Sequence, residues 1–470
     1  MQILEKLPLI IGNCKRQAED IINKPYINNF IQKEKIISCP NKIEAICKKN
    51  WVNQFYQEDN IMVMKKLIED GYKEKIDLIY IDPPFLTKTK YKGRILLNNG
   101  EREDVIEYFA YNDTWENGLL SYLEMLCIRL LLMKELLSNQ GTIYVHLDYR
   151  TVHYVKLFMD QIFGEENFLN EIIWAYKSGG ASPRNYSRKH DNILVYTKGK
   201  NYIFNPQLEK SYNRDFKPYR FKGVKEYEDD IGWYTLVNLK DVWKIDMVGR
   251  TSKERVGYDT QKPEKLLERI ILTSSNEESI VADFFAGSGT TGVVAEKFNR
   301  KWIMADSGSL SSITISKRLI GNKSSPYYIC KTYKNHIKAG KLLIKEIEIR
   351  KNKKGSKELY MELDRYELSL NQIHIKDKYK NKIKTILSKE SLSLIDYIGI
   401  DTDYDGNTPI IHWQYYKNKD GLNIHSNFSL QLRNIKKGQK IYIKYVDIFG
   451  HGNSNLYEIR DERVILCQED

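Results

Sequence analysis

One short run of residues in this sequence is suited to holding an aromatic ring that carries an amino group. Asp82-Pro83-Pro84-Phe85 follows directly after the apolar run 75–81. Two consecutive prolines fix the backbone and remove two N–H donors, which leaves carbonyl oxygens pointing outward as acceptors. Asp82 adds a carboxylate acceptor, and Phe85 adds a flat apolar face for stacking. The alternative interpretation is a strand that simply ends at prolines and a capping Asp.

A second run is suited to binding a nucleotide-like ligand through the backbone. Gly287-Ser288-Gly289-Thr290-Thr291-Gly292 follows the apolar run 279–285. Glycines allow a tight turn and a close backbone approach, and the helix expected next offers unpaired N–H groups. Asp306 follows at about the distance at which nucleotide-binding folds place a ribose-binding carboxylate. On these residues alone, a dinucleotide, S-adenosylmethionine (AdoMet) and a mere packing turn all remain open.

The elements that must position these residues alternate between strands and helices. Residues 75–82 and 142–148 are apolar runs typical of strands buried on both faces of a parallel sheet. Helical stretches lie between and after them, over 119–137 and through 163, and another is expected over 263–274. This order predicts an α/β fold with a doubly wound, mainly parallel sheet, whose ligands bind at the carboxyl ends of the strands.

The character of the sequence changes over residues 173–255. This window holds 17 Lys and Arg against 10 Asp and Glu, together with 14 aromatic residues. Interleaved basic and aromatic side chains favour contact with nucleic acid, although any single lysine is more often simply solvated. The candidate DNA-binding residues are Lys177, Arg184, Arg188, Lys189, Arg214, Lys217, Arg220 and Lys222.

These changes in pattern divide the chain into five parts. They are an N-terminal extension (1–50), a first half of the α/β domain (51–172), an inserted module (173–255), a second half (256–325) and a small C-terminal α+β unit (326–470). Within the last part, residues 331–357 are rich in lysine and predict a basic helix. The segments after them predict short strands joined by turns.

Composition narrows the class of protein. A length of 470 residues suits two or three domains, and a net charge of +12 favours an anionic partner. Charges within the apolar stretch 119–137 exclude a membrane span, and the N-terminus lacks the pattern of a secretory signal. Six cysteines without paired spacing predict a reducing, cytoplasmic location and neither disulfides nor a metal site. The acidic run 401–406 begins like a calcium loop, but its twelfth position is His412 rather than the bidentate Glu of such loops, so a hairpin turn is the favoured interpretation.

Taken in order along the chain, these motifs resemble those of the amino-methyltransferases of DNA. That family carries an [Asp/Asn/Ser]-Pro-Pro-[Tyr/Phe] catalytic motif and a Phe-x-Gly-x-Gly AdoMet motif, which are matched at 82–85 and 285–289. Thr260-Gln261-Lys262-Pro263 and Glu58-Asp59-Asn60 look like two further family segments, with Glu58 where Gly is usual. The order is similar to the permuted β group, in which the target-recognition domain lies between two halves of a Rossmann-like catalytic domain.

The resemblance implies AdoMet as the cofactor. Asp306 would bind its ribose hydroxyls, Asp59 would lie near its adenine, and Thr260, Gln261 and Lys262 would lie near its carboxylate. The residues implied to form the loop around its methionine and ribose are Asp283, Phe285, Gly287, Ser288, Gly289 and Thr290.

The resemblance also implies the reaction. Asp82 and the Pro83 carbonyl would hold the N6 amine of an adenine flipped out of double-stranded DNA, within a catalytic motif that includes Pro84, while Phe85 stacks on the base. An Asp at the head of the motif suggests adenine, because the cytosine-N4 enzymes usually carry Ser. Further candidate partners are a second copy of the chain and a restriction or accessory subunit. The expected location of this prokaryotic or phage-encoded protein is the cytoplasm, in association with the nucleoid.

Three alternatives remain open at this point. Methylation of cytosine N4 or of RNA would use the same motifs on a different base. An NAD-dependent dehydrogenase would use the glycine loop, but it would not account for the Asp-Pro-Pro-Phe tetrapeptide at 82–85. A non-catalytic DNA-binding subunit is disfavoured because Asp82 is present.

Overall fold

The computed structural model describes most of the chain as helices and four sheets. The described residues are 3–25, 32–38, 51–98, 103–180, 182–332, 340–373, 375–417, 424–432, 435–460 and 463–467, so residues 39–50 of the predicted N-terminal extension lie outside them. The α-helices of this part of the chain are α1 (Ile3–Asn23), α2 (Asn60–Leu67), α3 (Leu119–Leu136), α4 (Val152–Phe163), α5 (Glu264–Ser274), α6 (Thr290–Lys297), α7 (Ser309–Gly321) and α8 (Asp377–Lys389).

The strands of the same residues are numbered along the chain. They are β1 (Gln32–Ile36), β2 (Asn53–Gln57), β3 (Ile76–Ile81), β4 (Lys90–Asn98), β5 (Glu103–Asn112), β6 (Leu137–Leu147), β7 (Phe168–Ala175), β8 (His190–Thr197), β9 (Leu208–Tyr212), β10 (Glu226–Glu228), β11 (Trp233–Asn238), β12 (Val242–Lys244), β13 (Ile280–Asp283), β14 (Lys301–Ala305), β15 (Tyr327–Lys331), β16 (Lys341–Lys351), β17 (Lys357–Glu367), β18 (Ile395–Tyr404), β19 (Ile410–Ile411), β20 (Trp413–Tyr416), β21 (Asn427–Gln431), β22 (Lys440–Asp447), β23 (Gly452–Arg460) and β24 (Arg463–Leu466).

The largest sheet has eleven strands and is mixed but mainly parallel. Its order is β12-β7-β8-β6-β3-β13-β14-β2-β15-β1-β19. The central run from β6 to β15 is parallel throughout, whereas β8 pairs antiparallel with both β6 and β7. β15 pairs antiparallel with β1. The predicted α/β fold with a mainly parallel sheet is therefore confirmed.

Helices cover both faces of this sheet because its central strands are apolar on both sides. In β3, Ile79 and Ile81 pack in one core with residues of α1 to α4. The alternate residues Leu78 and Tyr80 pack in a second core with residues of α5, α6 and α7. Alternation along a strand sends neighbouring side chains to opposite faces, so the sheet is doubly wound.

The segment predicted to be an inserted module is shared between two sheets. β8 and β12 join the large sheet, and the predicted boundary at residue 173 falls inside β7. The strands β9, β10 and β11 form a separate antiparallel sheet. The part that stands apart from the large sheet is thus smaller than 173–255.

The C-terminal part forms an eight-stranded antiparallel sheet in the order β20-β18-β22-β23-β24-β16-β17-β21, against which α8 packs. The predicted basic helix over 331–357 is wrong for the residues that the structure describes there, because Lys341–Lys351 form β16; residues 333–339 lie outside the described residues. β16 pairs with β17, and residues such as Ile347 and Ile349 alternate with charged neighbours. That alternation has the period of a strand, so the density of lysine was misleading.

Two further features complete the fold. The hairpin of β4 and β5 follows the tetrapeptide 82–85 and lies outside the three other sheets. In the described part of the chain, we find no helix that combines the length and the apolar character needed to cross a membrane.

Candidate active site

One cavity at the carboxyl ends of the central strands brings the two predicted motifs together. Its volume is about 640 Å³, and it is lined by Asp82 after β3, Phe284 after β13 and Asp306 after β14. This is the edge at which open α/β sheets bind ligands. The predicted site residues that line it are Asp59, Asp82, Pro83, Pro84, Phe85, Thr260, Lys262, Asp283, Phe285, Gly287, Ser288, Thr290 and Asp306.

Asp82 has one occupied and one unoccupied carboxylate oxygen. Lys262 donates a hydrogen bond from Nζ to Oδ2, and the two side chains are only 12% and 17% exposed. Oδ1 is buried and accepts no hydrogen bond. Because a buried acceptor without a donor is unfavourable, this oxygen is suited to a ligand that donates one hydrogen bond. Lys262 therefore pairs with Asp82, whereas the resemblance implied that it would lie near the carboxylate of AdoMet.

His146, on β6, lies behind the tetrapeptide. Its Nδ1 lies 2.9 Å from the Tyr80 hydroxyl and 4.0 Å from Asp82 Oδ1, and its Nε2 lies 3.2 Å from Asp191 Oδ2. Its ring lies 5.7 Å from that of Phe85. His146 is fully buried and does not line the cavity, so it supports Phe85 and Asp82 from behind.

Asp191 is the carboxyl group that contacts His146 behind the tetrapeptide. Burial would raise the pKa of Asp191, but its interactions with His146, Lys262 and Tyr176 outweigh burial and hold that pKa below its usual value. The sequence signal for this pair was weak, because it consists of single residues on β6 and β8, strands that are distant in sequence but paired in the sheet.

The glycine loop forms a second wall of the cavity. Gly287 and Gly289 have φ values of +50° and +76°, a region that glycine adopts without a Cβ clash. The N–H of Gly287 donates to Asp306 Oδ2, and the N–H of Gly308 donates to Oδ1, each at 2.8 Å. Asp306 therefore ties the loop to the end of β14. Gly289 caps α6 against Ile315 and does not line the cavity.

Two carboxyl groups in this wall are held in unusual surroundings. Burial raises the pKa of Asp283 to about 7 and that of Asp306 to about 6, although both accept hydrogen bonds from backbone N–H groups. Thr291 also donates to Asp283 Oδ2 at 2.5 Å. A bound cation would favour the ionised form of both groups.

Asp59 enters the cavity from the start of α2. Its Oδ1 caps the helix by accepting from the Ile61 N–H at 2.9 Å, and its Oδ2 accepts from Arg129 Nη2 at 3.0 Å. Arg129 also bonds Asn60, which donates to the carbonyl of Phe284. Arg129 is one of the charges within the apolar stretch 119–137, and it lines the cavity and fixes the orientation of the 58–60 segment.

Two residues of the segment 260–262 line the cavity, and the third, Gln261, supports the neighbouring loop. Thr260 lines the cavity. Gln261 is directed away, because its amide donates to the Glu254 carbonyl at 2.6 Å and accepts from the Val256 N–H at 2.9 Å. The predicted contact of Gln261 with a cofactor is therefore replaced by a contact that shapes the 254–262 loop.

Aromatic residues that sequence analysis missed form the remaining wall. The hairpin contributes Tyr91, Tyr108 and Tyr111, and the loop before α5 contributes Tyr258. The rings of Tyr91 and Tyr111 stack with centroids 4.7 Å apart. A signal did exist, because Asn99-Gly100 stands between two mainly alternating segments and is typical of a hairpin turn.

The predicted DNA-binding residues lie apart from the cavity lining. All but Lys189 are exposed. The guanidinium of Arg188 lies 4.1 Å from the ring centroid of Tyr149. Lys189 is half-buried, and its Nζ donates to the carbonyls of Ser178 and Gly179 at 2.8 and 2.7 Å. Its role here is to hold a loop, which leaves the other seven as candidates for phosphate contacts.

A family comparison agrees with the site. The profile of a family described as DNA methylase matches residues 76–318, which is more than half of the chain and includes the tetrapeptide and the glycine loop. The chain belongs to this DNA methylase family. It is therefore a DNA methyltransferase, and the predicted family and enzyme class are confirmed. The family is AdoMet-dependent, which also confirms the predicted cofactor.

Curated relatives extend this finding. The type II methyltransferase M.HpaI of Haemophilus parainfluenzae is 31% identical over 51% of this chain and 67% of that protein. M.EcaI of Enterobacter cloacae is 29% identical over 55% of this chain and 67% of its own length. The DNA adenine methyltransferase YhdJ of Escherichia coli K12 is 29% identical over 49% of this chain and 71% of that protein.

Among solved structures, the complex of M1.HpyAVI with SAM covers 57% of the methyltransferase and 98% of that chain, at 22% identity and a TM-score of 0.37. The cytosine-N4-specific PvuII DNA methyltransferase covers 57% and 86% of the two chains, at 16% identity and a TM-score of 0.38.

The cavity of the methyltransferase fits AdoMet in size and in charge. A volume of about 640 Å³ lies within the range of pockets that enclose a ligand of this size. Three carboxyl groups line it near the loop, on Asp59, Asp283 and Asp306, and they suit a ligand that carries a sulfonium and an ammonium group. The buried Oδ1 of Asp82 remains available for an amine.

Proposed function

We propose that this DNA methyltransferase is site-specific and transfers the methyl group of AdoMet to the N6 amine of adenine. The observation that carries the proposal is the buried, unpartnered Oδ1 of Asp82 in the cavity that the glycine loop also lines. The choice of adenine is supported by the Asp at the head of the tetrapeptide and by similarity to a relative named as a DNA adenine methyltransferase.

Within the cavity, Asp82 and Pro83 orient the amine. An exocyclic amine is a poor nucleophile because its lone pair is delocalised into the ring. Hydrogen bonds from its two N–H groups to Asp82 Oδ1 and to the Pro83 carbonyl favour a more tetrahedral nitrogen with a directed lone pair. AdoMet supplies a methyl group already activated by the positive sulfur. The protein therefore contributes mainly position and charge.

Phe85 and Lys262 complete this half of the site. Phe85 offers a half-buried ring for stacking and is supported by His146. Lys262 neutralises Oδ2 of Asp82, which keeps the carboxylate in place while Oδ1 accepts the amine. Since the N6 amine is paired in duplex DNA, the base must leave the helix, at an unstacking cost of a few kcal/mol.

The basic residues of the inserted segment are our proposed source of compensating contacts. Lys177, Arg184, Arg188, Arg214, Lys217, Arg220 and Lys222 are exposed, and each can neutralise a phosphate. The five-part division of the chain, a homodimer, a restriction or accessory subunit, and a nucleoid-associated cytoplasmic location all remain predictions.

The proposal is tested by incubating the protein with AdoMet and two sets of duplexes, one lacking methylatable adenine amines and one lacking cytosine amines. Digestion to nucleosides and mass spectrometry then identify the product. We expect N6-methyladenine from the duplexes that retain adenine amines. Product found only as N4-methylcytosine would overturn the choice of base, and no product despite AdoMet binding would contradict DNA methylation by this chain.

A further inference from the structure

The C-terminal sheet reaches the methyl-donor cavity through a short turn. This turn, Asp447–His451, joins β22 to β23. The buried Asp447 holds it: its Oδ1 accepts from the N–H groups of Phe449 and His451 at 2.9 and 3.0 Å, and its Oδ2 accepts from the Tyr366 hydroxyl at 3.0 Å. The turn is therefore rigid where it meets the catalytic half.

Phe449 in this turn contacts the hairpin that forms the aromatic wall of the cavity. The ring of Phe449 is fully buried, and its centroid lies 5.0 Å from that of Tyr108. Tyr108 lines the cavity. On the same hairpin, Ile95 and Ile106 belong to the hydrophobic core of the C-terminal sheet. The hairpin is thus anchored in a core that the large sheet does not supply.

Gly450, the next residue, contacts the start of α7, which also lines the cavity. A Cβ at Gly450 would lie 2.6 Å from both the Cβ and the carbonyl oxygen of Ser309. Ser309 lines the cavity and begins α7, three residues after Asp306, which holds the glycine loop. Only glycine allows the turn to approach so closely, and its φ of +85° also favours glycine.

From these contacts we infer that the C-terminal sheet positions two elements of the AdoMet site, and that Phe449 and Gly450 are the positioning residues. Phe449 fixes Tyr108 on one wall, and Gly450 fixes the start of α7 on another. The inference rests on the proposed use of this cavity for AdoMet. It assigns a role to the C-terminal sheet, whose strands all lie beyond residues 76–318, the region that matches the DNA methylase family.

The test compares two glycine substitutions in the full-length protein. Gly450→Ala introduces both backbone strain and the clash with Ser309. Gly355→Ala introduces similar strain, since Gly355 has a φ of +80°, but a Cβ there meets nothing within 4 Å. We expect Gly450→Ala to raise the Kd and KM for AdoMet about tenfold, and Gly355→Ala to leave both within about twofold.

A second pair separates positioning from general loss of stability. Phe449→Ala removes the ring on Tyr108, whereas Phe428→Ala removes a buried ring of the same core that stacks on Tyr415 instead. We expect Phe449→Ala to weaken AdoMet binding about fivefold more than Phe428→Ala. Because the rings of Phe449 and Tyr108 are in contact, the effects of Phe449→Ala and Tyr108→Ala on AdoMet affinity should not add in the double variant. Affinity for duplex DNA should be alike in both variants.

The outcomes distinguish the inference from the proposed function. Wild-type affinity for AdoMet in folded Gly450→Ala and Phe449→Ala would overturn the inference alone. If Gly450→Ala does not fold, an equal effect of Phe449→Ala and Phe428→Ala on AdoMet affinity would also overturn it. Failure of the wild-type protein to bind AdoMet at all would instead contradict the proposed function.

Discussion

Lys262 forms an ion pair with Asp82, the carboxylate that we propose to orient the amine. Removal of Lys262 should therefore disturb the reaction without removing the acceptor. We predict that Lys262→Ala lowers kcat/KM about tenfold to a hundredfold, because a hydrogen bond to a charged group is worth about 1.5–3 kcal/mol. Steady-state methylation measures this. Lys265→Ala is the matched control, since Lys265 is exposed three residues later; equal rates in the two variants would contradict the role of Lys262.

The raised pKa values of Asp283 and Asp306 predict how the stability of the fold and its affinity for AdoMet depend on pH. Burial raises the pKa of these groups to about 7 and about 6. Because each folded-state pKa is above that of an unfolded Asp, ionisation lowers the stability of the ligand-free fold as pH rises from roughly 4 to 7. The ionised groups nevertheless suit a cationic ligand, so affinity for AdoMet should increase over the upper part of that range.

The measurement is isothermal titration of AdoMet between pH 5.5 and pH 8. We expect the Kd to fall about tenfold as pH rises across this interval, since one unit of pKa corresponds to a tenfold change. Asp283→Asn should show a shallower dependence, because only Asp306 then titrates in this wall. A Kd that stays constant with pH in the wild-type protein would contradict the assignment of these carboxyl groups to the cofactor site.

At the scale of elements, the loop between β9 and β10 predicts how binding depends on salt. It carries Arg214, Lys217, Arg220 and Lys222, all exposed. Replacing the four by Ala should weaken DNA binding and reduce the slope of log K against log salt by about 0.9 for each phosphate that the protein no longer neutralises. The measurement is fluorescence anisotropy of a labelled duplex at several salt concentrations.

A matched control removes positive charge elsewhere. Lys341, Lys351, Lys353 and Lys354 are exposed on β16 and the turn that follows it, so their replacement by Ala changes net charge equally. We expect a much smaller change of slope in this control. Equal slopes in the two variants would show that net charge, rather than the loop, sets the salt dependence.

The elements also show what the sequence could predict. The apolar run 75–82 predicted β3 within one residue at each end, whereas β6 begins at Leu137, five residues before the predicted run 142–148. Their order along the chain then placed Asp82 and Gly287 at one edge of the sheet. The hairpin of β4 and β5 was missed because its alternation is partly hidden by charged residues, and its inner face is set by contact with the C-terminal core.

Side-chain partners were harder to predict than elements. Gln261 and Lys262 are neighbours in one motif, yet Gln261 is directed at the 254–256 backbone and Lys262 at Asp82. His146 and Asp191 meet only because β6 and β8 pair in the sheet. Such partners depend on tertiary register, which a motif does not specify.

At the scale of the whole molecule, the active site is assembled from distant parts of one chain. The tetrapeptide and the glycine loop are separated by about two hundred residues in sequence. They lie close in space because β13, which precedes the loop, pairs with β3, which precedes the tetrapeptide. The segment between them supplies β7, β8 and β12 as well as the small antiparallel sheet. The C-terminal sheet then packs against the hairpin and contacts the start of α7, so it adjoins two elements that line the cavity.

The central claim is that this one cavity serves both the methyl donor and the amine. Its most direct test is transfer of label from radioactive AdoMet to duplex DNA by Asp82→Ala, with AdoMet affinity measured on the same preparation. We predict that transfer falls more than about a hundredfold while AdoMet affinity stays within a fewfold of wild type. Transfer at the wild-type rate by Asp82→Ala would contradict the account.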